Sequence, residues 1–321
     1  MGKEDGYTQR LLTVTCNPSL DRILHIPHLT ISTIHRTATV ESLPSGKGLN
    51  VSRAALPLGV PVTSTGILGG RIGQLLADLA EIHGLNGNWY WLEQAETRIC
   101  TLVNHDGVDS TVLNEDGPQI STADWDGFCT HVQTLAQSAG LVVFSGSVPP
   151  GLHADALPSL ARSLAAGGLP VIVDTSNAPL TAALENPDGL CIKINQFELA
   201  LGLALQFETG AVDAIATAAG VLLERGAAQV IITLGADGAL LISPEGCWRA
   251  AAPPVEMVSS VGSGDSLTAG LATAWLRGDT LPDALAMGVA CGSANALTAL
   301  PGKIDPRQVE VLRRQVQVQA L

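Results

Sequence analysis

Short apolar runs recur along this chain at intervals that leave room for one helix between neighbours. "LLTVTC", "PVTSTGIL", "LVVFSGS", "PVIVDTS", "LCIKIN" and "QVIITLG" read as buried strands, and Arg71–Gly84, Ala154–Gly167 and Val212–Gly226 carry helical periodicity between them. That alternation predicts an α/β fold with a doubly wound, mostly parallel sheet flanked by helices. Aromatic residues are only 3% of the chain, so Leu, Val, Ile and Ala must fill the core, as suits helices packed on a sheet buried on both faces. Several runs close on a polar residue or a glycine, at the sheet edge where open α/β folds place their ligands.

Two stretches break the rhythm. Arg22–Leu43 and Thr97–Leu113 alternate apolar and polar positions without an intervening helix ("RILHI", "TATVES", "RICTLVN", "VDSTVLN") and read as strands of a small, half-exposed sheet. The expectation is one domain over residues 1–321, with lid strands inserted at about 22–43 and 97–113. From Ser263 onward the chain reads as helical, and "LPDALAMGVACGSANALTAL" is a small-residue helix suited to close packing.

Charge narrows the partners. Seventeen Lys and Arg against thirty Asp and Glu give a net charge of −13, a field that repels phosphate backbones and acidic membranes. No nucleic-acid or membrane partner is expected, and no apolar run is long enough to span a bilayer. The six cysteines are scattered without a C-x-x-C pair, which fits buried thiols in a reducing compartment. The opening "MGKEDGYTQR" lacks the apolar centre of a signal peptide, and Gly6 stands where a myristoylation motif needs Ser or Thr. A cytoplasmic protein is expected. The seven histidines form no metal-ligand set.

"VGSGDSLTAG", Val261–Gly270, is the most informative short motif. A dinucleotide fingerprint needs glycine at position 267, where Leu267 stands; a P-loop needs a Lys that this stretch lacks, and "SGKG" at 45–48 lacks the upstream Gly and the following Ser or Thr. Gly262, Ser263 and Gly264 can instead turn backbone N–H groups outward at a helix N-terminus, which is an anion hole. Asp265 falls in the first turn beside it, as a base for a nearby hydroxyl or simply as a residue that the helix dipole favours.

Other stretches carry matching chemistry. In "NPSLDR", Asp21 follows the first strand and can accept hydrogen bonds from sugar hydroxyls. In "PSGKGLNVSRA", Gly46 and Gly48 permit close backbone approach, Lys47 can neutralise a phosphate and Asn50 can bond a hydroxyl. In "IKINQFE", Asn195 and Glu198 share one face of a starting helix, where they can meet a hydrated magnesium ion. "TLGADGALL" reads as a hairpin turning at Asp-Gly. Asp155 and Asp174 have no evident partner in the sequence.

Taken in order, "TCNPSLDR", "SGKGLNVSRA", "GILGG", "ETRICT", "NEDGP", "FSGSVPPG", "VDTS", "IKINQFE", "TLGADGALL" and "VGSGDS" resemble the PfkB branch of the ribokinase-like carbohydrate kinases. Within that branch the hexose-phosphate kinases, 1-phosphofructokinase and tagatose-6-phosphate kinase, are most similar. The resemblance implies transfer of a phosphoryl group from ATP, with Mg2+, to a hydroxyl of a hexose phosphate. Fructose 1-phosphate is the first expectation, with tagatose 6-phosphate or fructose 6-phosphate as alternatives. A non-catalytic sugar-phosphate or nucleotide sensor is the reading from another class.

By the same resemblance Asp265 is the base, and Gly262, Ser263 and Gly264 form the anion hole. Asp21, Gly46 and Asn50 bind the sugar, and Lys47, Arg98 and Ser147 meet its phosphate or nearby hydroxyls. Asn195 and Glu198 form the magnesium element, acting through water. Lys193, Thr233, Gly235 and Gly238 fall on the nucleotide side, with Val289 and Ser293 near the adenine. Related enzymes pair through the lid sheet, which implies a homodimer with Arg36 reaching the neighbouring active site. The usual Gly-Ala-Gly-Asp is Gly-Ser-Gly-Asp here, Ser45 replaces a customary glycine, and Pro57 is set to kink or end its helix.

Overall fold

The computed structural model describes residues 9–107, 109–208 and 210–321. The opening segment read above for a targeting signal lies outside them, apart from Gln9 and Arg10. In chain order the elements are β1 (Arg10–Thr15), β2 (Ser19–His25), β3 (Val40–Ser45), α1 (Lys47–Ala55), β4 (Val62–Gly69), α2 (Gly70–Ile82) and β5 (Tyr90–Leu92). Then come β6 (Arg98–His105), β7 (Asp109–Asn114), α3 (Thr122–Ala136), β8 (Ala139–Ser145), α4 (Ala156–Ala166), β9 (Val171–Asp174) and α5 (Asn177–Glu185). The last group is β10 (Cys191–Asn195), α6 (Gln196–Gly202), α7 (Val212–Glu224), β11 (Gln229–Thr233), β12 (Ala239–Ser243), β13 (Gly246–Ala251), α8 (Ser263–Arg277), α9 (Leu281–Ala296), α10 (Pro306–Arg313) and β14 (Gln317–Ala320).

Ten strands form one sheet in the order β14-β13-β12-β11-β10-β9-β8-β1-β4-β5. From β11 through β5 every pairing is parallel, and β12 to β14 add an antiparallel edge. The mostly parallel α/β architecture read from the alternation is therefore the observed one. Alternate side chains of each strand enter different cores. Leu12, Val14, Val142 and Phe144 pack with α3 to α7, while Leu11, Leu141, Val143 and Ile172 pack with α1, α8, α9 and α10.

The second sheet has the order β3-β2-β6-β7, built from the two stretches that broke the helical rhythm. Its β2–β6 pair is parallel, and it puts Ser19 beside Arg98 and Asp21 beside Cys100. Pro57 does end α1: the helix stops at Ala55 and a single tight turn follows over Leu56–Leu58.

Two local readings change. The chain is not helical to its end, because β14 returns to the sheet edge and pairs Val318 with Ala250 and Ala320 with Trp248. Four residues are too few to show a period among the helices before them. The hairpin joining β11 to β12 is also longer than a two-residue turn. Leu234–Gly238 form the loop, closed by the Leu234 N–H donating to the Gly238 carbonyl at 2.8 Å.

The chain leaves β1 in one direction toward β4 and β5, and later fills the other side with β8 to β11. The sheet therefore reverses its winding between β1 and β8, and a crevice opens beyond the C-terminal ends of those strands.

Candidate active site

Several of the residues singled out in the sequence meet at that crevice. Gly262 caps α8 with φ +83, and a Cβ there would stand 2.7 Å from Pro301 Cα, so backbone freedom and close approach both demand glycine. The cap puts Asp265 in the first turn, where it is buried. At the start of α1, Gly46 has φ +122 and a Cβ on it would meet the Thr15 side chain at 2.6 Å. The close approach expected of this glycine is thus to β1, and it docks the helix that carries Lys47 and Asn50.

Asn50 Nδ2 donates to Asp265 Oδ2 at 2.8 Å. Its Oδ1 accepts from Arg53 Nη1 at 2.8 Å, and Arg53 also donates to the carbonyls of Pro44 (2.6 Å) and Pro301 (2.9 Å). Asn50, expected to serve the sugar, is largely committed to orienting the acid. Burial and the Asp174 charge raise the Asp265 carboxyl to about 6, against the opposing pull of Lys193, the Asn50 amide and Lys47.

Asp174 is the residue that sequence reasoning missed. At the end of β9 it is wholly buried, with Oδ2 2.7 Å from Lys193 Nζ and Oδ1 3.2 Å from Lys47 Nζ. Burial alone would push this carboxyl up, but Lys193 and Lys47 outweigh it and hold Asp174 below the usual range. Asp174 in turn raises Lys47 above an ordinary lysine. The bridge joins a lysine expected on the sugar side to one expected on the nucleotide side, and it stands close enough to Asp265 to shift it.

On one flank lies a cavity of about 580 Å³. It takes in Thr233, Gly235, Gly238, Val289 and Ser293 of the expected nucleotide set, together with Ser263 and Gly264 at the head of α8, while Lys193 of that set is not among its lining residues. Pro254, Val255 and Met257, unmarked in the sequence, add apolar wall. Such walls suit a flat base, while the helix N-terminus suits phosphate. Gly264 leaves room for the Lys193 ammonium group beside that terminus, since a Cβ there would lie 2.8 Å from Nζ.

On the other flank Asn17, Arg98, Ser147 and Asn177 line a smaller hollow. Arg98 donates to the carbonyls of Asn17 (2.9 and 3.1 Å) and Glu115 (3.1 Å), which ties the small sheet to the end of β1. Asp21 accepts from Ser19 Oγ at 2.8 Å. Burial raises its carboxyl, and the hydroxyls of Ser45 and Ser19, with Arg98 and Arg53, oppose the rise. Ser45, the departure from glycine, thus supplies a donor to Asp21.

Asn195 and Glu198 form a reciprocal cap on α6. Asn195 Oδ1 accepts from the N–H groups of Phe197 (2.9 Å) and Glu198 (2.8 Å), and Glu198 Oε2 accepts from the Asn195 N–H at 2.9 Å. The pair presents an amide NH2 and the second Glu198 oxygen, groups that fit a phosphate oxygen and a hydrated cation respectively. Among the described residues no group of three or more His, Cys, Asp and Glu could enclose a metal. Magnesium held mainly by water and phosphate fits this donor set. Arg36 stands exposed on the loop between β2 and β3, and no described contact ties it to Asp265 or its neighbours.

A buried carboxyl beside a glycine-capped helix N-terminus, at the switch point of an α/β sheet, suits a phosphotransferase with an alcohol acceptor. The pfkB family carbohydrate kinase model matches residues 19–305, and the chain belongs to that family. Solved structures agree. A Staphylococcus aureus chain provisionally assigned as a phosphofructokinase is 29% identical, with a TM-score of 0.81 over 97% of this chain and 99% of that one. Phosphofructokinase-2 from Escherichia coli, in complex with fructose-6-phosphate, is 26% identical, with a TM-score of 0.84 over 96% and 99%; a tetrameric inhibited form of it is also known. A Thermotoga maritima chain described as a possible 1-phosphofructokinase, 24% identical over 97% and 99%, shares the fold with a TM-score of 0.84.

Proposed function

We propose that this sugar kinase transfers the γ-phosphoryl group of ATP to a hydroxyl of a hexose phosphate, with fructose 1-phosphate preferred. The observation that carries the reading is Asp265: buried, oriented by Asn50, raised to about 6 and set at the head of α8. It takes the proton of the sugar hydroxyl as that oxygen attacks, and the Gly264 and Asp265 amides at the start of α8 face the charge that develops on the transferred group, the Ser263 amide being held by the Ser260 carbonyl. Lys193 and Lys47, tethered by Asp174, line up positive charge between the two flanks. Asp21 holds sugar hydroxyls, and Lys47, Arg98 and Ser147 select an acceptor that already carries phosphate.

Thr233, Gly235, Gly238, Val289 and Ser293 receive the nucleotide, with the base against the apolar wall. Asn195 and Glu198 meet hydrated magnesium, which when bound neutralises phosphate charge. The small sheet closes over the sugar as a lid on one domain and excludes water, the competing acceptor. Exposed Val112 and Leu113 on β7, with Ile31 and Ile34 on the loop between β2 and β3, support pairing of two lids, with Arg36 at that interface.

Fructose 6-phosphate is the second reading, favoured by the ligand of the Escherichia coli relative. ADP release measured against fructose 1-phosphate, fructose 6-phosphate, tagatose 6-phosphate and the free sugars separates these. The highest kcat/KM is expected with fructose 1-phosphate. ATP binding without turnover of any sugar would make the protein a sensor.

A further inference from the structure

Asn295, in the last turn of α9, is fully buried and uses its whole hydrogen-bonding capacity. Its Nδ2 donates to the Val261 carbonyl at 2.8 Å and to Ser263 Oγ at a longer 3.4 Å. Its Oδ1 accepts from the Gly302 N–H at 2.7 Å and from Ser266 Oγ at 3.1 Å. One side chain thus ties the loop before α8, the first turn of α8 and the turn after α9. Burying an amide is costly unless each polar atom is matched, and here each one is.

The Ser263 backbone N–H donates to the Ser260 carbonyl at 3.2 Å, back into the preceding turn. Its residue nonetheless lines the large cavity together with Gly264. The Ser263 oxygen accepts from Asn295, which leaves the hydroxyl proton as a donor. An alanine at this position would offer the cavity neither the engaged amide nor a hydroxyl.

We propose that Asn295 is a positioning residue that holds the Ser263 hydroxyl as a side-chain donor to the terminal phosphate of the bound nucleotide, in place of the amide that Ser263 gives to Ser260. The proposal rests on the kinase reading of this cavity and adds two residues to it. The substitution of serine in the Gly-Ser-Gly-Asp turn and the asparagine 32 residues later form one device.

The test uses the full chain, with ATP and adenosine binding measured by calorimetry beside steady-state kinetics. Ser263→Ala is expected to weaken ATP binding about five-fold and to lower kcat about ten-fold, the scale of one lost donor to a charged oxygen. Adenosine affinity and the KM for the sugar phosphate should stay within about two-fold of wild type. Ser263→Thr keeps the hydroxyl and should restore both losses. Asn295→Asp keeps the acceptor for Gly302 and Ser266 but loses the donors, so its kcat penalty should shrink when Ser263 is already alanine.

Unchanged ATP affinity and kcat in Ser263→Ala overturn the proposal, as does a threonine variant no better than alanine, or strictly additive penalties at the two positions. If Asn295→Asp does not fold, the serine variants decide alone. If the wild-type protein turns over no sugar phosphate, the kinase reading fails, while the comparison of ATP with adenosine still decides the role of Ser263.

Discussion

The Asn50 amide and the Asp265 carboxylate lie 2.8 Å apart, joining residues 215 positions distant in the chain. Because Arg53 donates to Asn50 Oδ1, the amide cannot flip without losing both bonds, and one oxygen of Asp265 is fixed. The proposed mechanism leaves the other oxygen for the acceptor hydroxyl. Asp265→Asn preserves the shape and removes the base, so kcat should fall about 10²–10⁴-fold with ATP affinity nearly unchanged. Near-normal turnover in that variant would remove Asp265 from the chemistry.

The same carboxyl sets a pH dependence. Only its ionised form accepts a proton, so kcat/KM should fall about ten-fold per pH unit below about 6 and level off above it. Stability runs the other way. Raised from 3.8 to about 6 in the fold, Asp265 holds its proton more tightly there than in the unfolded chain. Its contribution is fully present below pH 3.8 and is lost as pH rises through about 6, on the order of 2–3 kcal/mol. Thermal melts of Asp265→Asn should therefore show a gain over wild type at pH 7.5 and little difference at pH 4.

Asp174 supplies part of that elevation, and it also neutralises the buried Lys193. Replacing it by Asn removes the raising influence and strands an ammonium group in the interior. The acidic limb of the rate profile should move to lower pH, and stability should drop by about 3–5 kcal/mol. Chemical denaturation and a pH series on the soluble fraction check the two effects separately. A limb that stays at about 6 would mean that burial alone tunes Asp265.

Much of this was legible in the sequence, for a physical reason. Strand and helix periods, glycine caps and the order of short motifs are local properties, so the parallel sheet and the small sheet could be read directly, and the motifs singled out Asp21, Lys47, Lys193 and Asp265 as candidates. Asp174 could not, because its meaning lies in partners 127 and 19 residues away that only the strand order brings together. Arg53 left a faint signal, three residues after Asn50 on the same helical face. Asn295 sat within a small-residue helix whose pattern spoke of packing, and its polar role appears only when α8 and α9 are placed side by side.

Ser45 bears on the sugar side. Its hydroxyl and that of Ser19 hold the Asp21 carboxyl down against burial. Ser45→Gly restores the customary residue and removes one donor, so Asp21 should titrate higher. With Asp21 less fully ionised and less well oriented, KM for the hexose phosphate should rise about three- to ten-fold, with kcat within two-fold. The change should be larger at pH 6 than at pH 8. An equal rise in the KM for ATP would place the effect outside the sugar site.

Gly264 offers a way to separate function from stability. It lies in the first turn of α8, and alanine is the better helix former by about 1 kcal/mol. The added methyl would nevertheless stand 2.8 Å from Lys193 Nζ, so the lysine must move and its 2.7 Å pairing with Asp174 loosens. Gly264→Ala should therefore melt within a few degrees of wild type while losing about ten- to a hundred-fold in kcat/KM for ATP. The charge line from Lys193 through Asp174 to Lys47 is what the methyl disturbs, so Lys193→Met in the Gly264→Ala background should cost less than in the wild type. Full additivity of the two changes would show that the methyl acts on the nucleotide directly and leaves the lysine in place.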